Sequence, residues 1–424
     1  MSAPEAGAPL QTWLDWQSRL HPREIDLGLD RVRAVADRLG LLDETPLVFS
    51  VGGTNGKGSA AHTLERLLSD DLNVGLYTSP YLIRYNERVR LNAHEATDSQ
   101  LCEAFQAVEQ ARGDTSLTYF EFGTLAALWL FRQAALDVWI LEVGMGGRLD
   151  AVNVVDADVA MITSIDLDHM RWLGNTRSTI AREKAGILRG GRPLLCADRD
   201  PPESLPAAAR AGGATWLAIG TAFDLTVDAD GWLWHGMSGR SLRLDPVAGL
   251  LPDNLALVLA ALEQVGRLPE AATINERVSG FSLPGRRQML DGVIPVVLDV
   301  CHNPAAAKVL SQWLRERPIS GSTHAIVGML SDKAVSECVD LLQSSVDSLT
   351  LAGLPDVDRG ASADWLRQAT ADRWPCCETV DAALARVRAR CEPGDRLVIC
   401  GSFHTVGAAM QSDLMKAFQT GVKT

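Results

Sequence analysis

The chain has no C-x-x-C pair and none of the dense cysteine spacing of a disulfide scaffold. Its eight cysteines (Cys102, Cys196, Cys301, Cys338, Cys376, Cys377, Cys391 and Cys400) are scattered through 424 residues, so reduced thiols are expected. It also lacks an excess of basic residues: 40 Lys and Arg face 53 Asp and Glu, a formal net charge of -13. A phosphate backbone is held by clustered positive charge, so nonspecific nucleic-acid binding is disfavoured and an anionic substrate needs a local basic site. No apolar run is long. The nearest, residues 122–131, falls far short of the roughly 18 needed to span a bilayer, and the N-terminus shows no basic stretch followed by an apolar core. Neither a membrane span nor a signal peptide is expected, and the expected location is the cytoplasm. Internal repeats and low-complexity tracts are absent too.

What is present is an ordinary globular composition, 46% hydrophobic and 22% charged, over a length that predicts two domains. Short β-type runs at 47–51, 74–77, 138–143, 159–163 and 193–197 alternate with helical stretches at 59–68, 99–110 and 122–133, the pattern of an α/β domain with a mainly parallel sheet. Residues 223–244 switch to short alternating runs, which predict a small antiparallel patch. A helical run from Pro252 to Val265 follows, with Asp253 or Asn254 as its expected N-cap. The segment 285–293 is expected to be a linker. Beyond it, strands at 296–300, 325–327, 348–351 and 397–400 alternate with helices at 305–315 and 380–390. The fold class is therefore α/β: a P-loop-containing parallel-sheet ATPase domain over 1–284 and a smaller doubly wound α/β domain over 294–424. Such sheets bind ligands at the carboxyl ends of their strands, so motifs that follow strands are expected to gather in a cleft.

The sharpest motif is G-G-T-N-G-K-G-S at 52–59, lying between a β run and a helix. Glycines let the backbone turn tightly so that several N–H groups face phosphate oxygens, and the helix N-terminus and Lys57 add positive charge. ATP phosphates are the expected ligand. Gly58 separates Lys57 from Ser59, a departure from the general P-loop. Glu142, closing the run 138–141, is placed to project a carboxylate from a strand end; a solvated surface carboxylate is the alternative. Lys184 reads locally as an exposed helical lysine paired with a neighbouring carboxylate. His169 and His404 read as structural as readily as ligating.

The variant loop resembles the Mur ligase superfamily, and in particular its folylpolyglutamate synthases. Further matches follow in order: Y-T-S-P-Y-L at 77–82, Y-N-E-R-V at 85–89, L-T-Y-F-E-F-G-T at 117–124 and L-E-V-G-M-G-G-R-L-D at 141–150. They continue with Asp168-His169, R-E-K-A-G-I at 182–187, L-P-G-R at 283–286, D-V-C-H-N-P at 299–304 and G-S-F-H-T at 401–405. The resemblance spans roughly residues 10 to 410 and is nearest to the bacterial bifunctional dihydrofolate synthase and folylpolyglutamate synthase branch. Met145, Asp166 and Cys301 depart from the usual pattern.

The resemblance implies an ATP-dependent, amide-forming ligase that joins L-glutamate to dihydropteroate and to reduced folates through an acyl phosphate. An enzyme that only extends folates is the alternative within the class, and a P-loop switch without ligase activity the alternative outside it. Implied nucleotide contacts are Thr54, Asn55, Gly56, Lys57, Gly58, Ser59, Asn254, Arg286 and Asp299. Two Mg2+ ions are implied, held with the help of Ser59, Ser79, Glu142 and His169, and by Lys184 if a CO2-derived carbamate turns that cation into an oxygen-bearing anion. Lys57, Lys184 and His302 are the implied catalytic residues. Thr118, Phe120, Asp150 and Ala151 are implied at a pterin pocket, where Phe122 also offers a ring for stacking; Asn303, Ser402 and His404 are implied near the incoming glutamate. A monomer with neither nucleic-acid nor membrane partner is expected.

Overall fold

In a computed structural model, which describes residues 3–420, the chain forms two compact units that divide between Phe281 and Ser282. The first is built on strands β1 (Leu47–Gly52), β2 (Val74–Tyr77), β3 (Val89–Leu91), β4 (His94–Glu95), β5 (Val138–Glu142), β6 (Val159–Ile162), β7 (Pro193–Cys196) and β8 (Thr215–Ala218). Their order across the sheet is β4-β3-β2-β5-β1-β6-β7-β8. β2, β5, β1, β6, β7 and β8 run parallel, and β3 and β4 add an antiparallel edge. A parallel sheet covered on both faces needs continuous apolar runs, and every residue of β5, V-W-I-L-E, is buried.

Register positions the site. Val51 pairs with Glu142 across β1 and β5, Tyr77 with Leu141 across β2 and β5, and Gly52 with Ile162 across β1 and β6. The segments that leave these strands, at 53–56, 78–79 and 163–166, therefore start from one edge of the sheet, its carboxyl end. The antiparallel patch is a separate three-stranded sheet of β9 (Asp224–Asp228), β10 (Gly231–His235) and β11 (Ser241–Leu244), with β10 in the centre. The helix Pro252–Gln264 begins two residues earlier than an Asp253 cap requires. Its N-cap is Leu251 and Pro252 takes the first helical position, where a missing N–H and a fixed φ do no harm. Neither Asp253 nor Asn254 is the cap, and Asn254 is instead a buried residue of the first turn.

The second unit holds β12 (Gln288–Leu290), β13 (Val296–Asp299), β14 (Thr323–Val327), β15 (Ser348–Ala352), β16 (Cys376–Cys377) and β17 (Arg396–Cys400) in the order β12-β13-β17-β14-β15-β16. All pairings are parallel except β12 with β13. The expected linker is thereby corrected, because its middle is an antiparallel edge strand of this sheet. Three residues are too short a run to show a period of two. Asp299 pairs with Cys400, so the segments 300–303 and 401–404 leave neighbouring strand ends. All eight cysteines are free, and no helix of the described residues is long and apolar enough to cross a membrane.

Candidate active site

The phosphate loop is held from behind by the segment that follows β6. Thr54 N–H donates to Ser164 O (2.8 Å), Asn55 N–H to Ser164 Oγ (3.0 Å), and Thr163 Oγ1 to Asn55 O (2.7 Å). Two glycines permit this approach. Gly53 has φ 147°, and a Cβ on it would lie 1.9 Å from Thr163 Oγ1; Gly56 has φ 86°, and a Cβ on it would lie 2.5 Å from Asn254 Nδ2. Gly56 is the N-cap of the helix Lys57–Leu68, so the first-turn N–H groups of that helix, including those of Gly58 and Ser59, are available to an anion. Asn254 Nδ2 reaches Gly56 O at 3.5 Å, which ties the nucleotide-implied Asn254 to the loop itself. Gly53→Ala is expected to weaken ATP binding by about tenfold or more while the fold survives, because a strained loop residue costs about 1–3 kcal/mol against a larger global stability. Nucleotide titration calorimetry beside a thermal melt checks this.

Two lysines converge on one carbonyl. Lys57 Nζ donates to Gly53 O (3.1 Å) and Thr54 O (3.2 Å), and Lys184 Nζ donates to Gly53 O (2.6 Å). Lys184 is 3% exposed, which overturns the reading of an exposed helical lysine paired with a carboxylate. The neighbouring Glu183 carboxylate goes to Arg148 (3.0 Å). Burial, with the charge of Lys57 adding to it, pushes the Lys184 amine down to about 7 against the smaller opposing charges of Asp168 and Asp150, since desolvation favours the neutral form of an amine.

Glu142 is 4% exposed, so it is not a solvated surface carboxylate. Its Oε2 accepts the Ser79 N–H (3.2 Å) and would lie 3.5 Å from a Cβ on Gly58. A buried carboxylate beside Ser79 and the first helical turn that carries Ser59 offers the hard oxygen donors a divalent cation prefers. His169 is the N-cap residue of the short helix Met170–Leu173, in a left-handed conformation and exposed, with its Nε2 4.0 Å from Asp168 Oδ2. Among the described residues, the one group of three or more His, Cys, Asp or Glu side chains with ligand atoms within 4.8 Å of one another is His324, Cys391 and Asp395 in the second unit. There His324 already bonds Ser348 Oγ (2.7 Å) and Asp395 Oδ2 (3.1 Å), while Asp395 accepts the Ser322 and Glu392 N–H groups. Glu142 is a candidate ligand of another kind, suited to a cation that takes its remaining ligands from hydroxyls, phosphate oxygens and water.

The pterin-implied residues divide. Thr118 caps the helix Tyr119–Gln133 in a reciprocal box, accepting the Glu121 N–H (3.2 Å) while Glu121 Oε2 accepts its own (2.7 Å). Phe120 is partly exposed and packs on the glycine run, where a Cβ on Gly144 would lie 2.6 Å from its ring. Phe122 is fully buried between Trp16 and Phe105 and is core rather than a stacking surface, because the helix turns it away from Phe120. Asp150 accepts N–H groups from Met145 (2.8 Å) and Val152 (3.1 Å), and burial pushes its carboxyl up to about 6. It holds the turn before Ala151, which is buried beside it.

In the second unit, Asp299 Oδ2 accepts the Arg287 N–H (2.9 Å) and Oδ1 the Cys301 N–H (2.8 Å). Burial raises its carboxyl and the Arg286 charge opposes this. Arg286 lies over the Phe403 ring at 4.7 Å, and the His302 ring is 6.4 Å from the same phenyl. His302 Nδ1 lies 3.0 Å from Val300 O; a carbonyl can only accept, so Nδ1 is the donor in this contact. Asn303 and Ser402 are N-caps, accepting the Ala306 and Thr405 N–H groups (3.0 Å each), and His404 is exposed.

The chain has four tyrosines, and all four are electrostatic neighbours of Arg88. This arginine is 8% exposed, its guanidinium carbon 5.3 Å from the Tyr81 ring centre, 5.4 Å from Tyr85 and 5.6 Å from Tyr119. Among the described residues, its Nε and Nη1 have no hydrogen-bond partner, and neither has the Tyr85 hydroxyl. A ring face offsets about 0.5–2 kcal/mol of burial, whereas a buried charge without a counter-ion costs several kcal/mol. The concentration of tyrosines around Y-N-E-R at 85–88 was the available signal.

Comparison with known proteins agrees with this geometry. Residues 51–202 match the Mur ligase middle domain and residues 285–403 the Mur ligase glutamate ligase domain. The chain is 43% identical to an Escherichia coli protein named dihydrofolate synthase/folylpolyglutamate synthase, over 96% of each chain. It is 37% identical to the Haemophilus influenzae protein of the same name, over 95% of this chain and 97% of the relative. Among solved structures it is similar to Escherichia coli FolC in complex with DHPP and ADP, with TM-score 0.93 and 42% identity over 98% of this chain and 99% of the other. A bifunctional folylpolyglutamate synthase/dihydrofolate synthase with Mn, AMPPNP and L-glutamate bound gives TM-score 0.90 and 43% identity over 96% and 99%.

Proposed function

The chain belongs to the Mur ligase family, among the dihydrofolate synthase/folylpolyglutamate synthases, and we propose that one activating centre in its first unit serves two acceptors. It is an ATP-dependent ligase that joins L-glutamate to dihydropteroate, forming dihydrofolate, and to reduced folates. The observation that carries the single centre is the strand register that brings the phosphate loop, Ser79 and Glu142 to one sheet edge, with Lys184 bonded to the same loop.

A carboxylate resists amine attack because it is anionic and would have to expel oxide. Transfer of the γ-phosphoryl group of ATP to it makes an acyl phosphate, whose leaving group is good. The first-turn N–H groups of the helix Lys57–Leu68, including those of Gly58 and Ser59, cradle the phosphates, and Lys57 neutralises charge that builds up as the phosphoryl group moves. Ser59, Ser79 and Glu142 would supply oxygen ligands for Mg2+, and His169 and a carbamylated Lys184 would hold a second ion. When bound, the metal would supply positive charge to offset that of the phosphates and the acceptor carboxylate. Phe120, with the Asp150 turn and Thr118 behind it, forms the wall for the pterin ring. In the second unit, Arg286 and Asp299 are the residues that the family resemblance assigns to nucleotide binding, and Asn303, Ser402 and His404 those that it assigns to the incoming glutamate. His302 is the candidate base for the proton that the glutamate ammonium must lose before its amine attacks the acyl carbon and expels phosphate.

Glu142→Gln keeps the shape and removes the anionic charge, so both ligations are expected to fall together, by on the order of a hundredfold. Purified enzyme assayed at saturating magnesium with each acceptor is the test. Loss of one activity with the other intact would mean two separate chemical centres.

A further inference from the structure

The two acceptors differ by a glutamyl unit, and that unit brings a second carboxylate. One carboxylate of a folate is activated; the other must be desolvated beside the centre without reacting, and dihydropteroate has no counterpart to it. A site that serves both acceptors therefore needs a cation that only the folates use. Lys57 and Lys184 face the phosphate loop and are committed to its carbonyls.

We propose that Arg88 and its tyrosine cage form the subsite for this second, unactivated carboxylate, and so set the enzyme's preference between its two acceptors. The inference rests on the two-acceptor reading. Arg88 has the chemistry: a planar fork of donors that matches a carboxylate, with Nε and Nη1 unpartnered among the described residues and the unpartnered Tyr85 hydroxyl as a further donor. The neighbouring groups that act most strongly on its charge are the four tyrosines. The position fits as well. The Thr78 N–H donates to Arg88 O (2.9 Å), one residue before Ser79 and its contact with Glu142, while Tyr77 packs on Phe120 at 5.9 Å and Tyr119 adjoins it in sequence. The cage thus touches both the metal-binding segment and the pterin wall. Arg88, Tyr77 and Tyr85 are its buried floor, and Tyr81 and Tyr119 are a partly exposed rim through which an anionic tail can enter.

The test compares wild type and Arg88→Met on dihydropteroate, tetrahydrofolate and tetrahydropteroyl-4-aminobutyrate, which keeps the activated carboxylate and lacks the second one. Wild type should prefer tetrahydrofolate to the aminobutyrate analogue by about tenfold or more in KM, the effect of a charge-assisted fork. Arg88→Met should erase that preference and lower the ratio of kcat/KM for tetrahydrofolate to that for dihydropteroate by a similar factor. Equal losses on all three acceptors would make Arg88 a structural prop and overturn the proposal, as would a retained preference in the variant. If the methionine variant does not fold, Arg88→Lys decides: it keeps the charge and loses the fork, so the preference must shrink, and an unchanged preference refutes the subsite. Wild-type enzyme inert with both dihydropteroate and tetrahydrofolate would instead overturn the two-acceptor reading itself.

Discussion

Lys57→Ala is expected to abolish ligation with both acceptors, by on the order of a hundredfold or more in kcat/KM, in a protein that still folds. The amine sits in the first turn of the helix Lys57–Leu68 and bonds two carbonyls of the loop in front of it. Its removal costs about 1 kcal/mol for each of those bonds, and alanine offsets part of this as the better helix former. The transition state loses far more, because a fixed charge beside a migrating phosphoryl group has no substitute in water. A second effect adds to the first. The charge of Lys57 helps to depress Lys184, so the substitution lets Lys184 hold its proton more firmly. Near-normal turnover in a folded variant would refute the nucleotide assignment.

Lys184→Ala is expected to be comparably inactive, and Lys184→Arg should not restore activity. Carbamylation joins a neutral amine to CO2 and releases a proton, giving an N–COO⁻ group with two hard oxygen ligands in place of a cation. An ordinary lysine, at about 10.4, is almost wholly protonated at neutral pH and reacts poorly. At about 7, Lys184 is half neutral there. The sign follows: the reactive amine increases as pH rises through about 7 and is lost below it, so CO2 depletion should harm the enzyme most on the acid side. A small carboxylic acid should partly rescue the alanine variant by entering the vacated space. Native mass spectrometry of active, metal-loaded enzyme should show the added mass of CO2; plain lysine in that preparation, or full activity in Lys184→Arg, would refute the carbamate.

The features legible in the sequence were those written in contiguous residues. The phosphate loop, the strand that ends at Glu142 and the alternation of the two sheets all come from local patterns of glycine and apolar residues. Short edge strands such as β12 and β16 were not legible, because two or three residues carry no period. The burial of Lys184 was invisible too: its helix, R-S-T-I-A-R-E-K-A, has little amphipathic contrast, and only the tertiary approach of Gly53 shows where the amine points. Asn303, Ser402 and Thr118 carry a double meaning. Each side chain holds the first turn of a helix, and sequence spacing does not distinguish a cap from a ligand contact when both use the same oxygen at a strand's exit. Asn254 shows the reverse, since Pro252 takes the helix start and leaves the amide to meet Gly56. The Arg88 cage assembles from Tyr77, Tyr81, Tyr85 and Tyr119 across three elements, and no single motif announces it.

The most direct test of the central claim, one ATP-driven ligase centre serving two acceptors, is ADP release by the purified protein with dihydropteroate or tetrahydrofolate, each with and without L-glutamate. The account predicts sustained ADP release with either acceptor only when glutamate is present, matched by equimolar amide product, and mutual competition between the acceptors. Steady hydrolysis that ignores both glutamate and acceptor would contradict it.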